Sequence, residues 1–136
     1  MRSRTGGFVS VLAMAPLLGI VTGCATVEET LAPVPTPPNL VGKWKGEWGG
    51  NMVHPIEVVV EDQQGQKVSG TMVFVVHGSF TYHRMRGSVG AKQDGSIWVL
   101  LDVGGRDFSL KVVSDKRLEG TGRSTGHYGP VSLSRQ

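Results

Sequence analysis

The sequence predicts an all-β domain, a small antiparallel up-and-down β-barrel of about eight strands, with a β-sandwich of the same strands as the alternative. From Val41 onward apolar residues recur at every second position rather than at helical spacing. Turn-forming residues interrupt that alternation roughly every 8–12 positions. No apolar pattern at i, i+3, i+4 survives the glycines, which number 20 in the 136-residue chain. Eight short strands joined by tight turns close naturally into a barrel, which removes exposed sheet edges.

The elements follow in order. The first strand carries Gly42-Lys43-Trp44-Lys45-Gly46-Glu47-Trp48, with Trp44 and Trp48 on one face. Ile56, Val58 and Val60 alternate with Glu57, Val59 and Glu61, and Asp62-Gln63-Gln64-Gly65 reads as a turn. Val68, Gly70, Met72, Phe74 and Val76 share one face of the next strand. His77-Gly78-Ser79 turns the chain into Phe80 to Val89, and Gln93-Asp94-Gly95 turns it again into Ile97, Val99, Leu101 and Val103. Gly104-Gly105 is a short-hairpin signal leading to Phe108, Leu110 and Val112. Ser114-Asp115-Lys116 precedes Leu118, and Val131 with Leu133 marks a last strand. Gly46, Gly70, Gly87 and Gly120 sit inside strand patterns, where glycine marks a bulge or a sharp bend of the kind that barrel corners require.

The chain divides into three parts: residues 1–23, 24–40 and 41–136. Arg2 and Arg4 precede an uncharged stretch from Phe8 to Val21, the arrangement of a secretory signal, and Pro16 in that stretch argues against a permanent membrane span. The stretch ends in Val21-Thr22-Gly23-Cys24: an aliphatic residue, two small residues and the only cysteine of the chain. This resembles the lipobox of bacterial lipoprotein precursors. The resemblance implies a diacylglyceryl thioether on Cys24, cleavage between Gly23 and Cys24, and acylation of the new amino group, commonly with palmitate. Such a chain is expected in the bacterial cell envelope, attached to the membrane through the lipid on Cys24. Ala25, in place of an aspartate, favours the outer membrane on its periplasmic side. Residues 25–40 contain Pro33, Pro35, Pro37 and Pro38 and have no strand or helix period, which predicts a stiff spacer between lipid and domain.

With Cys24 consumed by lipid, the folded domain has no thiol, so a disulfide framework, a cysteine nucleophile and a thiolate metal site are excluded. Removal of residues 1–23 leaves 12 basic against 11 acidic side chains, scattered along the sequence. The electrostatic footprint of a nucleic-acid binder is missing.

Gly42-x-Trp44 at the head of the first strand resembles the opening strand of calycins, the lipocalin and avidin group. In that group the tryptophan packs across the floor of the barrel, and the resemblance implies a ligand-binding or interaction barrel.

No catalytic constellation is present. Gly122-Arg123-Ser124-Thr125-Gly126 matches G-x-S-x-G, but it lies between two strand patterns and no acid follows His127, so it reads as a hairpin loop. His54, His77, His83 and His127 lack metal-site spacing and read as surface or turn histidines; only His77 and His83, flanking a turn, are close enough in sequence to meet. Glu57 and Glu61 share a strand face and read as solvated. No cofactor, metal or catalytic residue is expected.

Residues Phe74 to Val76 and Trp98 to Leu101 are apolar on both faces, which points to an outer surface that something covers. Trp44, Trp48, Trp98 and Leu100 are therefore the candidates for core or binding surface. The expected function is a membrane-anchored, non-enzymatic binding barrel that holds an envelope protein. The alternatives are a carrier of a small apolar ligand and an inhibitor of an extracytoplasmic hydrolase.

Overall fold

In the computed structural model, which describes residues 30–136, the chain forms eight strands. They are β1 (Gly42–Trp48), β2 (His54–Gln64), β3 (Lys67–Val76), β4 (Ser79–Ala91), β5 (Ile97–Val103), β6 (Arg106–Ser114), β7 (Arg117–Ser124) and β8 (His127–Arg135). Each pairs antiparallel with the next, and β8 returns to β1, from Trp44↔Arg135 to Trp48↔Val131, so the sheet is a closed barrel. The sandwich alternative is set aside by that last pairing. The lipobox, Val21-Thr22-Gly23-Cys24, lies outside the described residues. Among the described residues no helix is long and apolar enough to cross a membrane.

Turn chemistry explains the connections. His77 and Gly78 (φ 51° and 78°) and Gly104 and Gly105 (φ 56° and 86°) place positive φ at both central positions of two-residue turns, the twist that suits an antiparallel hairpin. His77 is the one non-glycine residue of positive φ among the described residues. At the β4–β5 turn the Ser96 hydroxyl and amide both donate to Asp94, and they hold its carboxyl below the usual range.

The period-two alternation becomes the inside and outside of the barrel. Trp44, Trp48, Met72, Phe74, Met85, Phe108, Leu110 and Leu133 interdigitate with the valines of the same faces, and every one of them is buried. The interior is a packed core, not a cup. Where neighbouring strands come closest, the inward residue is glycine. A Cβ on Gly46 would lie 1.7 Å from the Ser132 carbonyl oxygen, and one on Gly120 would lie 1.9 Å from that of Ser109. Gly70 and Gly87 are crowded by Val59 and Leu100 in the same way. These glycines thus mark close strand approach; of the two register shifts, at Val60/Asp62 and Val112/Ser114, the first lies opposite Gly70.

A meander places alternate turns at opposite ends. One end, termed the capped end, carries the β2–β3, β4–β5 and β6–β7 turns and the entry of the chain. Leu40 plugs it at 2 % exposure. Gln63 accepts from the Leu40 amide (2.8 Å) and donates to the Pro38 carbonyl (2.8 Å). Trp44 Nε1 donates to the Leu40 carbonyl (3.0 Å), and the Arg135 guanidinium lies 4.8 Å from the Trp44 ring while donating to the Asn39, Val41 and Asp115 carbonyls. Residues 31–40, expected as part of a stiff spacer, are fastened to the barrel. Ala32 and Ala91 exchange backbone hydrogen bonds of 2.8 and 2.9 Å, and Leu31 lies flush on Gly90, which has no side chain to hold it off. Proline composition does not prevent this, because the unprolylated Leu31-Ala32 and Leu40 make the contacts.

Candidate functional site

The other end, the mouth, gathers the β1–β2, β3–β4, β5–β6 and β7–β8 turns and all four histidines of the chain. Register sets which way each points. His54 pairs with inward Trp48, His83 with inward Met72 and Arg106 with inward Val103; His127 follows the parity of inward Val131. His54, His83 and His127 are therefore inward and half-buried, not surface histidines as the sequence suggested. His77 occupies the β3–β4 turn itself, and His83 faces Met72 across the hairpin, so those two do not meet.

The rings rest on an aromatic floor formed by the last layer of the core. Trp48 lies edge-on to Phe108 at 5.0 Å and to His127 at 4.4 Å between ring centroids. His54 and His127 meet edge-to-face at 5.3 Å, and His83 meets Phe74 at 5.4 Å. The Arg106 guanidinium lies over Phe74 at 4.9 Å, with no ion pair or hydrogen bond to any described residue. Trp48 is held by its Nε1, which donates to the Gly122 carbonyl (3.2 Å). A Cβ on Gly122 would strike Phe108 (2.5 Å) and the Trp48 indole (2.8 Å), so this floor needs glycine there. His127 Nε2 is buried and has no hydrogen-bond partner among the described residues. A nitrogen in that state is costly unless an external group satisfies it.

The charge of the mouth has one sign. Three inward imidazoles, Arg106 and the hydroxyls of Ser79, Thr81 and Ser124 line it, while no strand directs an Asp or Glu into the barrel. The mouth turns, residues 49–53, 77–78, 104–105 and 125–126, contain no acid either. Glu57 is outside, 3.5 and 3.9 Å from Lys43 and Lys45, and Glu61 accepts from the Thr71 hydroxyl. Apolar exposure concentrates at the same end. Of the eight large hydrophobic residues exposed among the described residues, Met52, Val53, Val76, Phe80, Tyr82 and Tyr128 lie at or beside the mouth, whereas Val41 and Val113 lie toward the capped end.

The residues singled out from sequence divide differently. Trp44 and Trp48 are core, at opposite ends of the barrel. Trp98 and Leu100 are on the outer wall: Lys92 Nζ sits 3.6 Å from the Trp98 ring, and Leu100 lies between Ser88 and Ser109 across the strands. On the β3–β4 wall, outward Val73 is 7 % exposed and sits beside Tyr82. Gly122–Ser124 of the G-x-S-x-G sequence is the end of β7, and Thr125-Gly126 is a two-residue turn, without the strand-to-helix elbow of a hydrolase. Among the described residues no three His, Cys, Asp or Glu side chains are grouped to hold a metal. Comparison of the chain with protein-family models, with curated proteins and with solved structures finds no match to any of them.

Proposed function

We propose that this chain is a lipid-anchored envelope protein whose barrel is a non-enzymatic binding head, and that the mouth takes anionic groups of a partner. The carrying observation is the mouth itself: three imidazoles and Arg106 over an aromatic floor, with no carboxylate of the described residues facing in. Unpaired guanidinium and imidazole N–H donors suit carboxylate or phosphate oxygens. The filled interior argues against a carrier of small apolar ligands.

The lipobox resemblance of Val21-Thr22-Gly23-Cys24 supports the anchor and, with it, placement in the envelope at the outer membrane facing the periplasm. A barrel fastened at Leu31-Ala32 leaves few residues of sequence between Cys24 and its surface, which supports a head held close to the membrane. Leu31 and Ala32 meet the barrel at Gly90 and Ala91, toward the capped end, so the mouth is directed away from the anchor. Trp44 on the capped floor under Arg135 supports a calycin-like reading of the barrel.

The test is calorimetric titration of the full chain, in detergent, with tetraglutamate and with tetralysine. Tetraglutamate is expected to bind at least tenfold more tightly than tetralysine, and Arg106→Gln to weaken it. Equal binding of tetralysine, or no heat with either peptide, would overturn the proposal.

A further inference from the structure

We infer that the overhanging edge of β4, from Phe80 to Arg84, takes an extended acidic segment of a partner protein as an added strand; this rests on the reading of the mouth as the recognition end. β4 pairs with β3 from Ser79 to Ser88, but with β5 only from Arg86 to Ala91, because β5 ends at Val103 and the chain turns at Gly104-Gly105. Ser79 to Arg84 therefore rises past β5 with one side unpaired. The two-residue turn makes Val76↔Ser79 a hydrogen-bonded pair, and antiparallel alternation then directs the amides and carbonyls of Thr81, His83 and Met85 toward β3. Those of Phe80, Tyr82 and Arg84 point the other way. No backbone hydrogen bond from a turn or loop reaches these three among the described residues.

An edge of this kind is usually blunted by proline, a bulge or a covering element. Here the β3–β4 register runs unbroken from Lys67↔Ser88 to Val76↔Ser79, and the overhang contains no proline. Its outer face presents Phe80 at 64 % and Tyr82 at 69 % exposure, followed by Arg84. Main-chain bonds of an added strand give affinity, and alternate side chains give specificity. Residues opposite Phe80 and Tyr82 would be apolar, and those opposite Arg84 and beside His83 would be acidic. A second copy of the chain fits poorly, since antiparallel self-pairing brings two cationic mouths and two copies of Arg84 together.

The experiment is amide exchange measured by NMR on the full chain in detergent micelles, with the heptapeptide Thr-Glu-Glu-Val-Thr-Val-Thr as probe, whose antiparallel pairing sets its two Glu opposite Arg84 and His83 and its two Val opposite Tyr82 and Phe80. The expected result is at least tenfold slower exchange at the Phe80, Tyr82 and Arg84 amides. The same peptide N-methylated at alternate residues should bind at least tenfold more weakly, because its charge is kept while its ladder donors are lost. Tyr82→Pro should match that loss, with exchange at Thr81 and His83 showing whether the hairpin is intact; the N-methylated peptide decides the matter if it is not. Equal binding of both peptides, with the three amides unprotected, overturns strand addition and leaves the mouth reading standing. Protection that grows with protein concentration alone makes a second copy the occupant and overturns the acidic partner. No binding of either peptide overturns this inference, and tetraglutamate then decides the mouth reading separately.

Discussion

The two ends of the barrel are made from the same alternation and the same turns, yet their polar groups are treated in opposite ways. At the capped end Gln63, Trp44 and Arg135 reach backbone carbonyls and amides of residues 38–41, and Leu40 fills the space they enclose. At the mouth Arg106 has only the face of Phe74, and His127 Nε2 is buried without a partner. Polar side chains at the first end satisfy the fold; Arg106 and His127 at the second are left for something outside it. Local departures from full satisfaction concentrate where a protein meets its ligand. The contrast therefore separates a structural end from a recognition end.

Substitutions should respect that division. Trp44→Ala removes the largest fully buried side chain and should cost about 3–5 kcal/mol, read from urea denaturation. Gln63→Ala leaves the Leu40 amide and Pro38 carbonyl without their partner and should cost about 1–3 kcal/mol, with faster exchange at the Leu40 amide. Ala32→Pro deletes the donor to the Ala91 carbonyl and should cost about 1 kcal/mol or less, releasing protection of the Ala91 amide while the barrel keeps its melting midpoint. Arg106→Gln should change stability by no more than about 0.5 kcal/mol while weakening anion binding. A mouth substitution as destabilising as Trp44→Ala would break the comparison.

The sequence carried the strands because burial on one face writes itself as period two, and Gly104-Gly105 and His77-Gly78 announce their own turns. Barrel and sandwich share that local pattern; the pairing of β8 with β1 is a contact between distant residues, with no signature in either strand. The mouth was hidden for a related reason. His54, His77, His83 and His127 have no meaningful spacing along the chain, and a meander brings them together only because alternate turns fall at one end. Assigning turns alternately to two ends, and following parity from Trp48, would have found the cluster. Arg106 would have followed, since it begins the strand after Gly104-Gly105. The docking of Leu31-Ala32 against Gly90-Ala91 was beyond composition, which registers prolines but not the glycine surface that receives a leucine. The β4 overhang likewise comes from a mismatch in length between paired strands, which appears only once the register is known.

The three tryptophans report on three regions: each indole N–H has its own acceptor, the Leu40 carbonyl for Trp44, the Gly122 carbonyl for Trp48 and the Ser96 hydroxyl for Trp98. Following their NMR signals while tetraglutamate is added maps binding onto the capped end, the mouth and the outer wall in one titration. The Trp48 signal should move with saturation while those of Trp44 and Trp98 stay in place. Movement at Trp44 or Trp98 with Trp48 unmoved would contradict the division of the barrel into a structural end and a recognition end.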